Sequence, residues 1–348
     1  MIHGGDIYTA AELIGKNSED IIDMSSSVNP LPLPFKIKKK LIKNFNFLNR
    51  YPDTEARAFK KILCDIYGIP SESIICGNGS IELIYIAVKA LNPQNVLILE
   101  PTFLEYERAC RINNVPNIDR IFSLDRDEVI KIAEKKLKNT KYSLVFICNP
   151  NNPTGWLIKK ENILNLADTV KDTIFLIDEA FIDFTPEETV IHEVGKIKNL
   201  LVLRSLTKFY GLAGLRFGYA AACNEIIEQL KKFIQPWSIN SIAQCAAEEI
   251  IKDENFKNMS YEFFIKEKQF FENSLKKLTL NYFPSAANFY FIKLPKKGFP
   301  EEILNKGILI RDCSNFYGVD ENFIRVSIKT RKQNEIFFRE LKKWLKAL

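Results

Sequence analysis

The segment Arg204-Ser205-Leu206-Thr207-Lys208-Phe209-Tyr210-Gly211 sets a lysine beside two hydroxyl residues just after an apolar run, with Arg216 further on. A primary amine among hydroxyls and a guanidinium suits an aldehyde that carries a phosphate. The amine condenses with the aldehyde, while Ser205, Thr207 and Arg216 hold the phosphate. Pyridoxal 5'-phosphate (PLP) is such a cofactor, and it also needs an acid against its ring nitrogen. Asp178, in Asp178-Glu179-Ala180-Phe181 at the end of another apolar run, is the candidate. Asn152, in Asn149-Pro150-Asn151-Asn152-Pro153-Thr154-Gly155, offers an amide to the cofactor's phenolic oxygen. Gly77-Asn78-Gly79-Ser80 leads into a predicted helix, so backbone N–H groups there and the helix dipole suit a phosphate. Phe103, after Pro101-Thr102, is placed to stack on a ring face. Taken singly, a loop lysine or a Pro/Gly turn is commonplace. Their combination is what points to PLP, and the amine reacts best where nearby positive charge and exclusion of water lower its pKa.

A second set of residues suits a small anion. Arg311 and Arg325 each close a short apolar run, Leu309-Ile310-Arg311 and Phe323-Ile324-Arg325. Guanidinium binds carboxylate or phosphate through two parallel hydrogen bonds, so two such forks predict a substrate with two anionic groups. Asn49-Arg50-Tyr51-Pro52-Asp53 forms a loop signature of its own, with Tyr51 as its aromatic.

Continuous apolar runs must carry these residues. Strands are expected over Ser73–Cys76, Asn95–Leu99, Ser143–Cys148, Thr173–Ile177, Asn199–Leu203 and Phe217–Cys223, with a helix over about Ile81–Ala90. Runs without alternation mark strands buried on both faces, as in a mostly parallel sheet between helices. Most of the polar motifs fall just after the carboxyl end of such a strand, where open α/β sheets bind ligands. Beyond about residue 235 the texture changes: a helical stretch from Ile242 to about Lys277, strands at Phe289–Leu294, Ile308–Arg311 and Phe323–Ile328, and a final helix over about Lys332–Lys346. The expected organisation is an arm over 1–44 that packs on the small domain, a large domain over 45–235 and a small α+β domain over 236–348.

The bulk numbers agree with an ordinary globular enzyme. The chain has 348 residues, of which 46% are hydrophobic and 26% charged, with a net charge of +6. That length favours two domains. The densest basic run, Lys36 to Lys43, alternates with Ile and Leu and reads as a solvated helix face, so no nucleic-acid partner is expected. Seven cysteines without a Cys-x-x-Cys pair predict reduced thiols rather than disulfides or a metal. Met1-Ile2-His3-Gly4-Gly5-Asp6 has no signal pattern, and no apolar run reaches the roughly 18 residues of a membrane helix. A cytoplasmic location follows as the expectation.

With these motifs the chain resembles the fold type I PLP-dependent aminotransferases of classes I and II along essentially its whole length. The resemblance implies a large domain with a mostly parallel seven-stranded sheet between helices, a smaller α+β C-terminal domain with the N-terminal arm, and a homodimer. It also implies that Lys208 is the Schiff-base lysine, that Asp178 pairs with the ring nitrogen, and that Asn152 holds the phenolic oxygen. Gly79, Ser80, Ser205, Thr207 and Arg216 would hold the cofactor phosphate, and Tyr51 would reach the cofactor of the neighbouring subunit. Two branches compete: histidinol-phosphate aminotransferases, working with 2-oxoglutarate, and the threonine-O-3-phosphate decarboxylases of cobalamin synthesis. His3-Gly4-Gly5-Asp6-Ile7, Ile310-Arg311-Asp312-Cys313-Ser314-Asn315-Phe316 and the phenylalanine at 181, where the aminotransferases usually have tyrosine, resemble the decarboxylases more. In that branch Arg325 would bind the substrate α-carboxylate, and Arg311, His3 and Gly4 would face its phosphate, with Ser27, Asn29 and Asn152 close by. Ser27 departs from both branches, which usually carry asparagine there. That leaves O-phospho-L-serine open beside O-phospho-L-threonine, since a methyl pocket discriminates by only about 1–3 kcal/mol. A PLP-fold protein that binds without catalysis is the remaining alternative.

Overall fold

The computed structural model describes residues 3–347. The outer two residues of the expected arm and the last residue of the expected small domain lie outside that range. The buried runs form one seven-stranded sheet in the order Ile74–Gly77, Gly218–Ala222, Leu200–Ser205, Ile174–Asp178, Leu144–Cys148, Asn95–Glu100, Asn117–Phe122. Gly218–Ala222 runs antiparallel to both neighbours and the remaining pairings are parallel. Side chains alternate between two cores because the strand period is two. Leu97, Val145, Ile147, Phe175, Ile177 and Val202 face one. Val96, Ile98, Phe146, Leu176, Leu201 and Leu203 face the other, beneath helix Ser80–Leu91. Both faces are therefore dry, which is why the runs read as continuously apolar.

The strand Asn117–Phe122 is an addition to the sequence reading. It lies at the sheet edge and spells Asn-Ile-Asp-Arg-Ile-Phe, too polar to register as a buried run. The helical stretch expected from Ile242 is two helices, Ser241–Ile250 and Glu254–Lys277. Asp253 starts the second by accepting from Phe256 N at 3.1 Å, the usual capping chemistry. Ala243, Ala246, Ala247 and Ile250 of the first join the core beneath the large sheet, so that core continues past residue 236.

A second sheet of four antiparallel strands runs Arg311–Asp312, Phe323–Ser327, Phe289–Lys293, Asn281–Tyr282. The single strand expected at Ile308–Arg311 is divided. Ile308–Leu309 pairs with Ile22–Asp23 of the arm, whereas Arg311–Asp312 turns to pair with Phe323–Ser327. The arm is anchored further by Met24, buried in the small-domain core, whose carbonyl accepts from Ser327 N at 2.8 Å. All seven cysteines are free. Among the described residues no helix is long and apolar enough to cross a membrane.

Candidate active site

One cleft gathers the ends of the central strands. Leu200–Ser205 delivers Ser205, Thr207 and Lys208; Ile174–Asp178 delivers Asp178; Leu144–Cys148 leads to Asn152; Asn95–Glu100 leads to Phe103. Ser80 and Arg216 join them on one side, and His3, Gly4, Ser27, Arg311 and Arg325 on the other.

At one end lies an anion cradle. Ser205 Oγ and Thr207 Oγ1 are 2.8 Å apart, next to the first turn of helix Ser80–Leu91. Gly79 precedes that helix with φ of +80°, and a Cβ there would come within 2.5 Å of Arg216 Nη2. Gly218 is pressed against Ser80 N in the same way. Arg216 adopts a left-handed backbone at φ of 60° and donates to Ala213 O at 3.1 Å. No carboxylate pairs with it among the described residues. Helix N–H groups, two hydroxyls and a guanidinium without a counter-ion fit a phosphate.

Deeper in the cleft, Asp178 accepts from Tyr106 OH at 2.7 Å and from Ala180 N at 3.0 Å. Burial pushes its carboxyl above the usual range, and those hydrogen bonds and the Lys208 charge offset only part of the shift. A buried acid with no direct ion pair among the described residues is costly, and a protonated pyridine nitrogen would relieve it. Tyr106 was not foreseen; its ring stacks on Phe146, and in the sequence it looks like any core aromatic of a helix.

Lys208 faces the cleft with Nζ 5.8 Å from the centre of the Phe181 ring. Burial, then the charges of Arg325 and Arg216, bring its amine down to about 8. Residues present thus fit PLP at each end: a phosphate cradle, an acid for the ring nitrogen and a reactive amine between them. Asn152 Oδ1 accepts from Arg325 Nη1, which leaves the amide NH₂ as the donor for a phenolic oxygen.

The substrate side holds two guanidiniums that form no ion pair with a carboxylate among the described residues. Arg311 and Arg325 are directly opposite in the antiparallel pair. Arg325 donates to Ser25 O at 2.7 Å, its Nε has no partner, and burial lowers its pKa to about 10. Arg311 donates to Asn315 Oδ1 at 2.7 Å and is likewise held down by burial. Lys329 Nζ, another residue not foreseen, donates to Ser26 O at 2.8 Å and holds the arm against this wall. Ser27 Oγ lies 2.9 Å from Ser327 Oγ, and His3 Nε2 lies 2.6 Å from Glu105 Oε1.

Two expected residues fall elsewhere. Asn29 does not line the cleft: it is 4% exposed, its amide donates to Phe209 O and Ser260 Oγ, and its carbonyl oxygen accepts from Leu31 N. Its expected contact with substrate is corrected to a structural one. Its backbone N–H donates to Lys208 O at 3.0 Å, so it braces the lysine loop from behind. Tyr51 lies outside the cleft of its own chain, 79% exposed and stacked on Trp237 at 4.7 Å.

The family model for aminotransferase class I and II matches residues 19–341. The chain is 32% identical over 360 residues to the threonine-phosphate decarboxylase of Salmonella typhimurium, covering 99% of this chain and 97% of that protein. A crystal structure of histidinol-phosphate aminotransferase from Clostridium acetobutylicum superposes with a TM-score of 0.85 at 32% identity, over 94% of this chain and 100% of that one. That of L-threonine-O-3-phosphate decarboxylase from Porphyromonas gingivalis gives 0.84 at 27% identity, over 94% and 100%. The chain belongs to the class I and II aminotransferase family, with the fold type I architecture, and is a PLP-dependent enzyme.

Proposed function

We propose that this enzyme decarboxylates O-phospho-L-threonine, and O-phospho-L-serine if its site admits the smaller substrate. With phosphothreonine the product is (R)-1-aminopropan-2-ol phosphate, the linker of the cobalamin nucleotide loop. The observation that carries the reading is the pair of guanidiniums without an ion-pair partner among the described residues, Arg311 opposite Arg325, with His3 and Gly4 at the same wall. A short substrate with a carboxylate and a phosphate would satisfy both forks. The similarity to the Salmonella typhimurium decarboxylase along nearly the whole of both chains supports it.

PLP held by these residues would supply an electrophilic carbon for the substrate amine and an electron sink for the Cα bond that breaks. The chain's own residues do the rest. Arg325, fixed by Asn152 and Ser25, holds the α-carboxylate, and Arg311 holds the phosphate. Fixing both anions sets the torsion about Cα, and so selects which bond stands perpendicular to the ring. Asp178, oriented by Tyr106, keeps the proton on the ring nitrogen. Phe181, backed by Phe289, gives the cleft an apolar wall beside Lys208. Lys208 returns a proton to Cα once carbon dioxide has left.

A histidinol-phosphate aminotransferase would use the same residues, and the Clostridium acetobutylicum structure at 32% identity supports that second reading. Incubating the PLP-loaded enzyme with O-phospho-L-threonine and O-phospho-L-serine, without keto acid, separates them. The expected result is carbon dioxide and an amino-alcohol phosphate. Transamination of histidinol phosphate with 2-oxoglutarate, and no amine product from either phospho-amino acid, would overturn the decarboxylase.

The working unit is read as a homodimer in which Tyr51 serves the partner's cofactor. The exposure of Tyr51, Phe45 and Leu48 in one segment supports this, since such apolar surface commonly marks an interface. Sedimentation should give twice the chain mass, and Tyr51→Ala should weaken PLP retention. A fully active monomer would refute the shared site.

A further inference from the structure

Behind His3, which lines the cleft, stands a carboxylate with no part in the cofactor or substrate contacts described above. Glu105, in the first turn of helix Glu105–Ile112, is 2% exposed. Its Oε1 accepts from His3 Nε2 at 2.6 Å and from Arg108 Nη1 at 3.4 Å, and its Oε2 accepts from Tyr85 OH. A negative charge near a dianionic ligand works against binding. Its presence calls for a use, and its partners supply one.

His3 is the far end of the arm. Its ring lies 5.9 Å from that of Phe103, on the large-domain wall. The next two residues are held from the opposite side. Gly4 is pressed so closely on Ser25 O that a Cβ would strike it, and Gly5 N donates to Ser25 Oγ at 2.7 Å. Ser25 is in turn the residue whose carbonyl Arg325 holds. The His3-Gly4-Gly5 turn therefore bridges the cleft mouth, moored to the small-domain side through Ser25 and to the large domain through Glu105. His3 and Gly4 line the cleft together with Arg311.

We infer that Glu105 is a positioning residue that docks the His3-Gly4 turn across the cleft, making that turn part of the wall that takes the phosphate of the substrate. Selectivity for a phosphomonoester over the bare amino acid then depends on Glu105, although Glu105 itself never touches the phosphate. Tyr85 and Arg108 fix the carboxylate so that it meets the imidazole at one place. The inference rests on the phosphate-binding role given to Arg311, His3 and Gly4 above.

The test uses Glu105→Gln in the holoenzyme, with three readouts. Backbone amide exchange over residues 4–8 should quicken by about tenfold, the scale of one lost charge-assisted hydrogen bond. KM for O-phospho-L-threonine should rise by about tenfold with kcat nearly unchanged, the pattern of lost uniform binding. The Kd for L-threonine, read from the cofactor spectrum, should stay the same, because that ligand has no phosphate for the turn to meet. Unchanged exchange over 4–8 overturns the docking. An equal weakening of O-phospho-L-threonine and L-threonine overturns the selectivity, since Glu105 would then support the site in general. Should Glu105→Gln fail to fold, Tyr85→Phe loosens the same carboxylate and carries the same comparison with smaller shifts. If the wild-type enzyme leaves O-phospho-L-threonine intact, the functional reading falls, while the exchange comparison still decides whether Glu105 docks the arm.

Discussion

Lys208→Ala is expected to retain PLP without holding it covalently and to lose turnover by about 10⁴-fold or more, because nucleophile and proton carrier vanish together. The cradle of Ser205, Thr207 and Arg216 is untouched by the change, so cofactor binding weakens without disappearing. Borohydride reduction followed by mass spectrometry checks this directly: the wild-type chain should carry the cofactor on Lys208 and the variant should carry none. Ordinary turnover in the variant would sink the assignment. The pH dependence follows from the same site. Burial, with Arg325 and Arg216 nearby, lowers the amine to about 8 from its ordinary 10.5. Lowering the pKa of a base enlarges its neutral fraction, here to about a tenth at pH 7. Capture of PLP by the apo-protein should therefore accelerate as pH rises through about 8 and level off above it. A rise that continues to the ordinary lysine range would show that Lys208 is not the amine that captures PLP.

Arg325→Met should lower kcat/KM for the amino-acid substrate by about 10²–10³-fold, the usual cost of removing one member of a desolvated, hydrogen-bonded charge pair. The residue is 6% exposed and forms no ion pair with a carboxylate among the described residues, which suits a charge held for a ligand. Two consequences separate this from general damage. Arg325 is, after burial, the largest influence that depresses Lys208, so its loss should move the PLP-capture midpoint upward. Its Nη1 also holds Asn152 Oδ1, so the product ratio is sensitive as well: with the carboxylate no longer pinned, abortive transamination should rise relative to decarboxylation. An unchanged kcat/KM would remove Arg325 from the substrate wall.

The difference between the two sides of the cleft explains what a sequence reader sees. Lys208, Asn152 and Phe103 each follow, and Asp178 ends, a strand whose residues are buried on both faces, and a continuous apolar run is visible without any knowledge of the fold. The edge strand Asn117–Phe122 escapes because solvent on its outer side permits polar residues. Asn29 misleads because a polar residue in a conspicuous turn looks available, whereas Phe209 O and Ser260 Oγ from distant segments and the nearby Leu31 N occupy it. Tyr106 and Glu105 are silent for a related reason: on a helix they look like a core aromatic and a surface acid.

By itself the sequence pointed to the cofactor, to Lys208 as the candidate for its Schiff base and to the α/β frame, since these rest on local pattern and on residue types that PLP chemistry requires. Only the tertiary structure decided which residues meet across the chain. It split the Ile308–Arg311 run so that Arg311 comes opposite Arg325, and it brought His3 to Glu105 across a sequence separation of 102 residues. Contacts over such separations depend on how two cores and an arm pack, and packing leaves no periodicity in the local sequence to read.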